Sequence, residues 1–213
     1  MTYEQVNSKV VRVPVTQARP VLARRGSMLG YSGQVSFRPV AGQGQGVRSM
    51  VGAALAGEST KMMVTEGDGS VLYGFRGLYT TVVQLTGDSM VVEADRLLVH
   101  DAHLQTGIEM VGQGGVRQMA RGAVTGQGLF TTRVSGQGTV VLLSHGGTFP
   151  IQLNGDTVGV DPQAYVAHTG ALQVELKQSL GMRDLIGRGS GEAFQLHVSG
   201  HGVVHVQASE EKF

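Results

Sequence analysis

Arg133–Ser144 reads RVSGQGTVVLLS. An apolar run is broken by Gly136-Gln137-Gly138. Gly-x-Gly can open a phosphate-binding loop between a strand and a helix. It can also supply positive φ in a tight connection between two strands. The first reading makes a nucleotide enzyme and the second a β scaffold. The flanks decide. Related runs occur at Met63–Gly74, MVTEGDGSVLYG, and His197–Ala208, HVSGHGVVHVQA. In the last, Phe194, Leu196 and Val198 alternate with Gln195 and His197, and Val204, Val206 and Ala208 resume the alternation. Strand thus follows strand. Gly136–Val141 lacks the third glycine of a dinucleotide fingerprint, and no Gly-Lys-Ser/Thr occurs. The reading is a β-hairpin with Gly-x-Gly as its loop.

Working outward, the chain resembles itself. The glycines of these runs fall at 67, 136 and 200. Ahead of each lies the pattern Gly-x-Arg, ending at Arg48, Arg117 and Arg183. VQLTGDSMVV at Val83–Val92 matches IQLNGDTVGV at Ile151–Val160, so Asp88 and Asp156 are read as residues of a recurring Gly-Asp turn. These points define three copies, roughly residues 11–78, 79–147 and 148–208. Copies of about 65 residues are small for independent domains. The expected fold is all-β. Three pseudo-symmetric β repeats form β-sandwich or short double-stranded β-helix units within one compact body, a single domain over residues 1–213.

Composition agrees. The chain has 33 glycines in 213 residues but only 5 prolines, which suits short strands rather than collagen or a linker. Net charge is +1, and only Arg19, Arg24 and Arg25 cluster, read as a solvated strand edge. No nucleic-acid partner is expected from so neutral a chain. There is no cysteine, which excludes thiolate catalysis and disulfides. MTYEQVNSKV has no apolar signal core, and the longest apolar runs are far shorter than a membrane helix. A soluble, cytoplasmic protein is expected.

Few residues point to chemistry. If Ser199 and Val203 flank a hairpin loop, His197 faces His205 across the ladder, with His201 at the tip. Opposed Cβ atoms lie about 4.5–5.5 Å apart, within reach of one metal ion. The competing reading is exposed histidines on a polar face. His100-Asp101-Ala102-His103 has ligand-like spacing, but residues three apart on a strand face opposite ways. His145 and His168 stand alone. Glu93, Asp95 and Asp161 read as turn residues. Hydrolase and zincin motifs are absent. The repeated arginines Arg48, Arg117 and Arg183 either satisfy backbone carbonyls at each junction or line a shared anion site; the recurrence favours the first.

Several of these stretches resemble one known family. They are Arg25–Leu29 (RGSML), the Gly-x-Arg segments followed by Gly57-Glu58-Ser59, Val134–Val140, Ile151–Val158 and Val198–Val204. The chain is similar to the altered-inheritance-of-mitochondria proteins and their bacterial relatives, which are largely of unknown function. The resemblance implies a fold like the subunit of the tryptophan RNA-binding attenuation protein, which forms rings. It implies an association of the mitochondrial members with inner-membrane organisation, and it supplies no catalytic residues. The expected function is a non-enzymatic scaffold or binding protein acting as a homo-oligomer. An unknown protein partner or a membrane surface is allowed, and no cofactor is expected. A metal-dependent enzyme using His197 and His205 is the alternative, and RNA binding a further one.

Overall fold

Phe130–Ser144, the stretch around the quoted run, is one continuous strand. Its second half, Val140-Val141-Leu142-Leu143, is buried throughout. Val141 and Leu143 enter one hydrophobic cluster, and Val140 and Leu142 enter another. Alternate side chains of a strand leave by opposite faces, so both faces of this strand are covered. That explains an unbroken apolar run where a half-exposed strand would alternate.

The computed structural model describes residues 2–40, 62–110, 130–178 and 194–210. These form twelve strands, all paired antiparallel, and a single 3-10 turn. Up to residue 78 the chain forms β1 (Glu4–Asn7), which precedes the first expected copy, and then β2 (Val10–Val15), β3 (Val21–Arg24), β4 (Met28–Pro39) and β5 (Met62–Tyr73). The second contributes β6 (Tyr79–Glu93), the 3-10 turn Ala94–Arg96, β7 (Leu97–Asp101), β8 (Gln105–Met110) and β9 (Phe130–Ser144). The third contributes β10 (Thr148–Val160), β11 (Tyr165–Gln178) and β12 (Phe194–Gln207). The all-β expectation holds. Hydrogen bonding runs through one sheet, ordered β1-β2-β5-β3-β7-β9-β6-β11-β12-β10, with β4 on β5 and β8 on β9. Among the described residues no helix is long and apolar enough to cross a membrane.

One pairing scheme recurs. The strands holding Gly-x-Gly are the central ones: β5 pairs β2, β3 and β4; β9 pairs β6, β7 and β8; β12 pairs β10 and β11. This corrects the hairpin reading. Gly67, Gly136 and Gly200 have φ of 123°, 123° and 119°, yet the strands pass straight through them. Their role is close approach. A Cβ on Gly200 would run into the Ala171 carbonyl oxygen of β11, and one on Gly67 into that of Gln34 of β4.

The Gly-Asp turns are corrected too. Thr86 pairs Gln137 and Ser89 pairs Ser135, so β6 carries one extra residue at Gly87-Asp88. Asn154 pairs His201 and Thr157 pairs Ser199, which places the same bulge at Gly155-Asp156. In the first, the Thr86 amide donates to the Asp88 carboxylate at 3.1 Å. Each bulge therefore sits opposite the strained glycine of the central strand, where local twist is greatest.

The three strand groups centred on β5, β9 and β12 meet at narrow seams. β3 and β7 share three residue pairs, Val21↔Asp101, Leu22↔His100 and Ala23↔Val99. β6 and β11 share three more, Met90↔Thr169, Val91↔His168 and Val92↔Ala167. Side chains reinforce both. The first cluster joins Val13, Val71 and Tyr73 to Leu98, Val99 and Val141. The second joins Val92 and Leu142 to Val166 and Ala167. A third holds Leu153, Leu196, Val198 and Val204.

Two glycines test the geometry. Gly87 has φ of 111° but open space where a Cβ would sit, so Gly87→Ala should cost only backbone strain, about 1–2 kcal/mol. Gly200→Ala adds a backbone collision and should cost more, about 3 kcal/mol or above. Urea denaturation of both variants measures the difference.

Candidate functional site

A group of buried polar side chains lies where one ladder is interrupted. β7 pairs β9 at Val140–Leu142, and β8 pairs it at Phe130–Ser135. Between them, on that edge of β9, no strand of the described residues runs. Asp101, at the end of β7, accepts the Thr139 amide on Oδ2 at 2.8 Å. The His103 ring lies 2.8 Å from the Gln137 carbonyl through Nε2. A carbonyl can only accept, so Nε2 is the protonated nitrogen. Leu104 packs over Gly136 and Gly138, where side chains would collide. The His-Asp-Ala-His motif thus substitutes for a missing piece of strand, and its two histidines share no ligand.

Asp101 is buried, and its charge is met from the first copy. Tyr3 Oη donates to Oδ1 at 3.2 Å, and Arg19 approaches both carboxylate oxygens at 3.4 Å. Burial and the Asp101 charge raise the Tyr3 hydroxyl pKa far above its usual value. Two more arginines act at the seams. Arg24, buried, donates to the carbonyls of Leu97 at 3.3 Å and Ala94 at 3.2 Å, pairs with Asp95 and lies over the Phe75 ring. Arg96, fully buried, pairs with Glu93 at 3.1 Å and donates to the Gln163 carbonyl of the third copy at 3.3 Å. The solvated-edge reading of Arg24 is therefore corrected, and Glu93 and Asp95 are ion-pair partners.

The metal candidates separate. Because β12 does not fold back, His197 and His205 are eight residues apart on one strand, roughly 26 Å at strand rise. His197 faces Gly159 and Glu175, His201 faces Asn154 and Ala171, and His205 faces Pro150 and Ala167. The opposed pair required by a shared ion does not form. Among the described residues no group of three or more His, Asp or Glu comes together to hold a metal. Arg48, Arg117 and Arg183 lie outside the described residues.

His168 sits in the β6–β11 seam. Its Nδ1 lies 2.6 Å from the Tyr165 hydroxyl. Burial, and then the charge of Arg133, push its pKa down to about 4. His100, in the other seam, is also lowered by burial.

At the surface, the exposed large apolar residues among those described are Val6, Met28, Leu29 and Tyr31 near the N-terminus and Phe149 on β10. Among the described residues β4 pairs only β5, and β10 pairs only β12.

The comparisons can now be set against this geometry. A family model described as Mitochondrial biogenesis AIM24 matches residues 1–209. The chain belongs to the AIM24 family. An X-ray structure of protein SPYM3_0169 from Streptococcus pyogenes is 23% identical, with a TM-score of 0.74, over 98% of this chain and 92% of that one. At that identity the likeness speaks for the fold alone. No curated protein shows significant similarity to the chain.

Two variants test the buried polar groups of this AIM24 protein. Asp101→Asn should destabilise the fold by about 3 kcal/mol, since Arg19 loses its counter-charge and the Tyr3 and Thr139 donors keep one carbonyl acceptor between them. Chemical denaturation at neutral pH reads this. For His168, the folded pKa lies below the unfolded value near 6.5, so the unfolded chain binds the proton more readily. Its contribution, up to about 3 kcal/mol, is complete above pH 6.5 and is lost as pH falls toward 4. His168→Gln should flatten, without abolishing, the decline of stability over that window, because His100 acts in the same direction.

Proposed function

We propose that this chain is a non-catalytic binding or scaffold protein that works as a homo-oligomer, its copies joined through sheet edges. The observation that carries the reading is a pair of long outer strands. β4 has 12 residues and β10 has 13, and each is paired on one side only among the described residues. β4 carries one charge, Arg38, and β10 one, Asp156. Proteins that stay monomeric usually shorten such edges or load them with charge. Pro39 closes β4 and Pro150 lies near the start of β10, which leaves most of each edge able to pair. Tyr31 and Phe149 stand exposed on these two strands.

The interior supports the same reading. Asp101, Arg24 and Arg96 are engaged with backbone groups where the ladders are interrupted. Such groups serve the fold, and among the described residues they are not arranged as a nucleophile with its base.

Light scattering and native mass spectrometry at about 100 μM chain test the proposal, because association follows mass action. A closed oligomer is expected. Tyr31→Lys or Phe149→Lys should reduce the subunit count, and the melting temperature of the variant should no longer rise with chain concentration. A strict monomer at that concentration would overturn the reading.

A further inference from the structure

The turn between β5 and β6 is Phe75-Arg76-Gly77-Leu78, closed by the Leu78 amide donating to the Phe75 carbonyl at 2.9 Å. Its central residues have φ of 48° and 70°, the sign pattern of a type I′ turn. Asn, Asp or Gly relax that conformation. Arg76 occupies it instead, the one non-glycine residue with positive φ among the described residues. Backbone strain held for an exposed side chain is a reason to ask what the side chain does.

Arg76 borders a groove of about 480 Å³, lined also by Lys9, Leu29, Gly74 and Phe75. The Arg76 guanidinium lies 5.2 Å from the Phe75 ring centre, and the Lys9 ammonium 5.2 Å from that of Tyr79. Among the described residues neither cation is paired with a carboxylate. The lining also includes apolar side chains, Leu29 and Val10. Leu29 is 59% exposed, and its side chain reaches over Gly74, where a Cβ would collide with it. The groove therefore offers two cations held against aromatic rings beside an uncovered leucine.

We propose that this groove binds an amphipathic anion, a phosphate or carboxylate group carrying an apolar chain. Arg76 and Lys9 receive the anionic head, and the exposed Leu29 receives the first part of the tail. Each cation can keep its aromatic contact while it pairs, since an ammonium has three N–H donors and a guanidinium five. The chain could come as a free amphiphile or as a lipid whose headgroup faces water. The chemistry at the groove is shared.

Calorimetric titration of the full-length protein with decyl phosphate, kept below micelle formation, tests this against inorganic phosphate and decanol. Saturable binding of decyl phosphate, at least tenfold tighter than either control, is expected. Arg76→Gly should weaken it tenfold or more while leaving the melting temperature unchanged or raised, because glycine relaxes the turn. Lys9→Gln should act in the same direction. Leu29→Ser should bring decyl phosphate down toward inorganic phosphate. Sedimentation with phosphatidylglycerol vesicles assigns the source. Retention that falls in Arg76→Gly identifies a headgroup at a surface, and titration without retention identifies a free amphiphile. No saturable binding of decyl phosphate, or equal binding by a folded Arg76→Gly variant, would overturn the proposal.

Discussion

The backbone of the buried half of β9, from Gly138 to Ser144, must be paired. Its apolar half is buried on both faces, and strands flank it on both sides. An amide or carbonyl left open there has no water to turn to and costs what a lost hydrogen bond costs. β6 covers one edge along most of its length. The other is shared by β7 and β8, and between them lies a gap. Asp101 and His103 fill it with side-chain groups. Gly136 and Gly138 leave the hollow into which Leu104 descends. One short run of sequence, His100–Leu104, therefore completes a ladder, and no alternative backbone pairing is needed.

A buried carboxylate in that position brings its own requirement. Its charge is tolerable only with donors and a counter-ion close by. Tyr3 and Arg19 supply them from the first copy, so the repair of β9 also fastens one copy to the next. The same economy recurs at the second seam. Arg96 carries its charge beside Glu93 and spends a donor on Gln163 across the boundary. Three ladder pairs alone would make a weak joint. Three pairs with a buried arginine and a shared hydrophobic cluster make a firm one. The histidines of these seams are neutral at neutral pH because burial disfavours their charge.

Much of this was legible in the sequence. The all-β class followed from alternation and glycine content, and the segments with matching glycines pair in matching ways. The hairpins were misread for a specific reason. In HVSGHGVVHVQA the pattern is symmetric about His201, so Val198 and Val204 reach the core face whether the chain folds back or runs on. Periodicity could not separate the two cases. The metal pair at His197 and His205 depended on the wrong one. The seam arginines had a signal that went unused: in VVEADRLLV, Arg96 stands between apolar runs with two carboxylates beside it. A charge in such a setting is either exposed at a turn or buried with its partners, and only the fold shows that it is buried.

The distribution of exposed residues bears on function more than the shared architecture does. Residues that recur among the copies, such as the central glycines, answer to close backbone approach. They would be needed in any protein built this way. What differs among similarly paired segments is freer of that demand. The first copy alone replaces the Gly-Asp bulge with a longer excursion, Thr16–Pro20, between its pairings at Val15 and Val21. That excursion delivers Arg19 to Asp101. The first copy also exposes Met28, Leu29 and Tyr31 together, and places Lys9 and a strained Arg76 beside them. The third exposes Phe149. Apolar side chains left in water cost free energy that a packing requirement would have removed. Their concentration in the N-terminal segment, beside cations that no carboxylate of the described residues pairs, makes that face the part of the described structure least explained by folding.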